Sequence, residues 1–64
     1  MRVIFEERYV RLGCGASIYQ YESDVKAALN YDDIRIFETV QEARSFIKEQ
    51  GYAYDYTMPS VWRS

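Results

Sequence analysis

The apolar positions follow two rhythms. From residue 2 to residue 12 they suit an extended chain: Val3 and Phe5 share one face, Ile4 takes the other, and Tyr9, Val10 and Leu12 resume the pattern. The charged Glu6-Glu7-Arg8 interrupts it, which allows one long bulged strand or two short strands with a turn between them. Gly13-Cys14-Gly15 reads as a turn. Ala16 to Tyr21 alternates again, with Ser17, Tyr19 and Tyr21 on one face and Ala16 and Ile18 on the other, so segments 2–12 and 16–21 are expected to form a hairpin.

The rhythm then changes to helical spacing. Ser23 suits a helix N-cap with Asp24 against the positive end, and Val25, Ala28 and Leu29 fall on one side of a short helix fading near Asn30. Asp32-Asp33 marks a turn, and Ile34-Arg35-Ile36-Phe37 is a short strand of β-formers. Thr39-Val40-Gln41-Glu42 is a capping box opening a second helix to Gln50. Its apolar stripe is Val40, Ala43, Phe46 and Ile47, with Gln41, Arg44, Ser45, Lys48 and Glu49 turned to water. Gly51 suits the left-handed residue after the helix, with Tyr52 reaching back to Ile47 in a Schellman cap. Tyr52-Ala53-Tyr54-Asp55-Tyr56 returns to period two and puts three tyrosines on one strand face.

These elements predict an α+β domain: a small, mostly antiparallel sheet of about four strands, with two helices on one face, in the order ββαβαβ. Residues 1–56 form one domain, and residues 57–64 form a C-terminal tail whose Trp62 is expected to pack back on it. Sixty-four residues make a thin core, since a chain near this length buries only about 60% of its unfolded surface. Homodimerisation is one way for so small a domain to gain stability.

Composition narrows the chemistry. With one cysteine and no histidine, neither an internal disulfide nor a structural zinc site is expected. No apolar run approaches the roughly 20 residues that span a bilayer, and the first residues lack a signal-peptide pattern. The expected location is the cytoplasm. Eight basic and ten acidic residues give a net charge of −2 without a basic run, which argues against phosphate-driven nucleic-acid binding.

Cys14, between two glycines, has no histidine to activate it. Gly13-Cys14-Gly15 also begins like a dinucleotide fingerprint, but Ile18 stands where the third glycine belongs and a strand is expected there. Adjacent Glu6 and Glu7 point to opposite faces of a strand, and Asp32-Asp33 suits a turn rather than a catalytic pair. No catalytic residue, cofactor or metal is therefore expected.

Binding is the remaining theme. Tyrosine is enriched at interfaces, and Tyr52, Tyr54 and Tyr56, with Asp55 among them and Trp62 in the tail, are the candidate partner-binding residues. Ile34, Ile36, Val3 and Phe5 already compete for the covered face of the sheet, which would leave some of the tyrosines outside. The expected function is a small noncatalytic module or regulator that binds a larger protein. The alternative is single-stranded nucleic acid stacked on a tyrosine-bearing sheet face near Arg8, Arg11 and Arg35.

Overall fold

The computed structural model describes residues 2–30, 32–57 and 61–62, the last two by their backbone alone. The strands are β1 (Phe5–Arg11), β2 (Cys14–Gln20), β3 (Val25–Leu29), β4 (Asp33–Phe37), β5 (Ala53–Tyr54) and β6 (Val61–Trp62), with one helix, α1 (Val40–Glu49), between β4 and β5. The order is ββββαββ. The spatial order is β4-β3-β2-β1-β5, and β6 pairs with β1. Every pairing is antiparallel. The α+β class holds, but one helix covers the sheet rather than two.

The expected first helix is strand β3. Val25, Ala28 and Leu29 fit a helical face, but Val25, Ala27 and Leu29 fit a strand face equally well, and these three are buried. Five residues make a marginal helix in water. As a strand they satisfy backbone groups on both sides, against β2 and β4, and tertiary pairing outweighs the helical preference of Lys26-Ala27-Ala28.

The β1–β2 hairpin forms with a tighter turn than Gly13-Cys14-Gly15 implied. Arg11 pairs with Cys14, leaving only Leu12 and Gly13 in the loop. Both have positive φ, 32° and 82°, as a two-residue hairpin turn of the primed type requires. Glu6-Glu7-Arg8 does not break β1, which runs unbroken past it with Glu7 turned inward.

Cross-strand register fixes the two faces of the sheet. Phe5, Glu7 and Tyr9 of β1, Ala16 and Ile18 of β2, and Val25, Ala27 and Leu29 of β3 lie under α1. Ala43 and Ile47 of the helix complete the core, joined by Tyr52. The same parity puts Asp33, Arg35 and Phe37 of β4 on the covered side and Ile34 and Ile36 on the open one. The two isoleucines, expected inside, are 57% and 63% exposed. Phe37 packs on Phe46 instead, with ring centroids 5.4 Å apart.

The helix carries both predicted caps. Thr39 Oγ1 accepts from the Glu42 amide at 3.2 Å and donates to the Glu42 carboxylate at 3.2 Å. At the other end the Tyr52 amide donates to the Ile47 carbonyl at 3.3 Å and the Gly51 amide to the Lys48 carbonyl at 3.0 Å, with Gly51 at φ +89°. That is a Schellman motif. Among the described residues no helix is long and apolar enough to cross a membrane.

Candidate protein-binding surface

The tyrosine segment does not form a continuous stripe. Strand β5 is only two residues long, so the alternation that would align three rings lasts too briefly. Tyr52 is buried against the core and leaves the candidate surface, with the Arg11 guanidinium 4.8 Å over its ring. Arg11 also donates to the Gln50 carbonyl at 2.6 Å, at the end of α1. Tyr54 is half-buried: its ring stands edge-on to Tyr9 at 6.0 Å and to Tyr56 at 4.8 Å. Tyr56 is the outermost of the three, 86% exposed.

Asp55 continues the β1–β5 edge, its amide donating to the Arg8 carbonyl at 3.0 Å. Its carboxylate accepts from the Thr57 hydroxyl at 2.6 Å and the Thr57 amide at 3.0 Å. These bonds hold the Asp55 carboxyl below its ordinary range, the hydroxyl bond contributing most. Trp62 is opposite Phe5 in the β6–β1 register, and its side chain lies outside the described residues.

What sequence reading missed is the hairpin end beside Asp55. Leu12 is 100% exposed at the tip, and Val10 is 43% exposed on the open face. Val10 pairs with Ala53 of β5, which is also exposed, so hairpin and β5 share one border. A cleft of about 360 Å³ opens there, lined among others by Arg8, Val10, Cys14, Ser17 and Asp55. Arg8 donates to Ser17 Oγ at 3.2 Å and lies 3.5 Å from the Glu6 carboxylate. Cys14 is partly buried and packs against the core. One signal could have exposed the site: a leucine immediately before Gly13, between two alternating runs, is a poor occupant for a tight hairpin turn.

Beneath the sheet, Glu7 is the buried polar centre, 4% exposed. Arg44 grips it with both arms of its guanidinium, Nε to Oε2 at 2.8 Å and Nη2 to Oε1 at 3.0 Å. The Tyr9 hydroxyl donates to Oε2 at 2.7 Å. Burial pushes the Tyr9 hydroxyl pKa well above its ordinary value, reinforced by its bond to Glu7. The bond to Glu7 likewise raises Arg44. Arg44, expected to face water, thus clamps α1 to β1. The arrangement is a satisfied ion pair between a buried carboxylate and a half-exposed guanidinium, whose groups are occupied with each other. Among the described residues no three histidine, cysteine, aspartate or glutamate side chains cluster as metal ligands would.

No family model matches the chain, and the searches of curated proteins and of solved structures likewise found no match.

Proposed function

We propose that this protein is a noncatalytic interaction module that binds a larger protein through the end of the sheet where the β1–β2 hairpin borders β5. The observation that carries this reading is Leu12. It is a fully exposed leucine at φ 32°. The left-handed backbone costs a residue with a Cβ about 1 kcal/mol, and an exposed leucine returns nothing to the fold by burial. A residue that the turn disfavours twice is explained by a pocket on another molecule that receives it.

The neighbours suit that role. Tyr56 and Val10 add exposed apolar area near a polar cleft, the mix of aromatic anchor and hydrogen-bonding rim found in protein interfaces. The partner's matching surface is an apolar socket with polar groups able to meet Arg8 and Asp55. A base-stacking platform has less support. Arg11 stacks on Tyr52 and Arg35 lies 5.5 Å over Phe46, both on the covered side. The open face keeps Tyr19 and Tyr21 beside Arg8 and Lys26, but Lys26 is already over the Tyr21 ring at 5.0 Å and Arg8 is engaged by Ser17 and Glu6.

The test is affinity capture from lysate of the source cells with tagged protein, with and without nuclease, beside a Leu12→Asn variant. The expected result is a stoichiometric protein partner that survives nuclease and is lost with the variant. Recovery that disappears with nuclease would replace this reading with nucleic-acid binding. Recovery unchanged by Leu12→Asn would remove the hairpin end from the interface.

A further inference from the structure

Strand β4 is the far edge of the sheet, opposite β5. The Asn30 amide donates to the Gly15 carbonyl at 2.8 Å, which makes 15 and 30 a hydrogen-bonded pair in the β2–β3 ladder. Antiparallel alternation then turns the backbone groups of residues 26 and 28 towards β2 and those of 25, 27 and 29 towards β4. Their partners on β4 are Phe37, Arg35 and Asp33. The amides and carbonyls of Ile34 and Ile36 are therefore directed outwards, along an edge that no other described strand covers. Their side chains add two exposed isoleucines to the open face beside that edge. Such an edge is a template for another strand.

We infer that the occupant is β4 of a second copy of this chain, paired antiparallel about a two-fold axis at Ile34. Residues 33–35 of the strand are self-complementary in this register. Ile34 meets Ile34 of the partner subunit in a hydrogen-bonded pair, so the outward amides and carbonyls bond each other. Asp33 then stands directly opposite Arg35 of the partner subunit, in the close, non-hydrogen-bonded position, and symmetry repeats the pair. Asp33 and Arg35 already attract within one strand, at 3.1 Å, and are both half exposed, so they are free to share that attraction across the axis. Centring the axis on Arg35 instead would oppose two like charges, which the sheet disfavours. The dimer is one continuous sheet with its two open faces on the same side and its hairpin ends left uncovered, so it neither requires nor blocks the partner surface proposed above.

Sedimentation equilibrium over a concentration series tests the register. Wild-type protein should pass from the 7.6 kDa of one chain to twice that mass. Ile34→Lys, at a site exposed in the single chain, should keep the circular dichroism spectrum and stay at the mass of one chain. Asp33→Arg or Arg35→Asp alone should weaken association roughly tenfold or more, and the double exchange Asp33→Arg with Arg35→Asp should restore it. Amide exchange on the wild-type protein needs no variant: the Ile34 amide should slow as concentration rises. A chain that stays single up to about 1 mM, a dimer indifferent to Ile34→Lys, a double exchange no better than either single change, or concentration-independent exchange at Ile34 would each overturn the inference.

Discussion

Glu7 and Arg44 lie 37 positions apart in the chain and meet at 2.8 Å under the sheet. Removing one partner of a buried ion pair strands the other charge away from water, which typically costs about 3–5 kcal/mol. Arg44 keeps some solvent contact, so Arg44→Met should cost about 3 kcal/mol in urea unfolding, near the lower end of that range. The double variant Glu7→Leu, Arg44→Met should recover only part of the loss: it leaves no unpaired charge, but it takes the acceptor from the buried Tyr9 hydroxyl. Tyr9 supplies the pH dependence. Its folded pKa is raised, so its contribution is fully present below the pKa of an unfolded tyrosine, about 10. Above that pH the unfolded chain releases the proton while the folded chain holds it, and stability falls as pH rises. Tyr9→Phe should flatten this alkaline loss in an unfolding series from pH 9 upward. None of this was legible in the sequence: a charged triplet reads as surface, and the long-range partner that makes burial of Glu7 tolerable is invisible in local pattern.

The elements that could be read were those whose signals are local. The helix from Val40 to Glu49 announces itself through a capping box, an apolar stripe and a glycine stop, and each is realised in the structure. Gly51 should therefore be intolerant of change. Its φ is +89°, and an added Cβ would come within 3.3 Å of the Arg11 side chain. Gly51→Ala should cost about 1 kcal/mol, read as a lower thermal midpoint with the fold retained. The hairpin was legible too, although its loop proved two residues long. Segment 25–29 was not, because a run with alanines at 27 and 28 satisfies either period and only pairing with β2 and β4 decides it. Ile34 and Ile36 were misplaced for a related reason. Sequence gives the alternation of β4 but not its parity, and parity is set by where α1 docks, with Phe46 against Phe37. The tyrosine segment failed on length: Tyr52 closes the helix cap and enters the core before the strand begins.

At the scale of the molecule, among the described residues one helix covers one face of the sheet and no element covers the other. The two edges are unlike. At one, β5 and β6 both pair with β1, and the hairpin tip and Asp55 cleft lie at the β5 end of it. At the other, β4 presents outward backbone groups and two isoleucines. A pair of chains joined at β4 would display two hairpin ends, and a partner with repeated sites would gain avidity of about 10²–10⁴ over a single contact. That consequence depends on both surfaces, whereas the account as a whole depends first on Leu12.

Leu12→Asn separates fold from function in one variant, because asparagine tolerates the left-handed turn that leucine resists. The measurement is the thermal midpoint of Leu12→Asn set beside its capture of the partner, each against wild type. A gain of about 0.5–1 kcal/mol is expected, at about 4–8 °C for each kcal/mol in a domain of this size, together with a loss of capture. A leucine that weakens the fold and makes the contact predicts both changes together. A midpoint that falls, or a partner held as tightly as before, would contradict the account: the leucine would then serve the fold, or the interface would lie elsewhere.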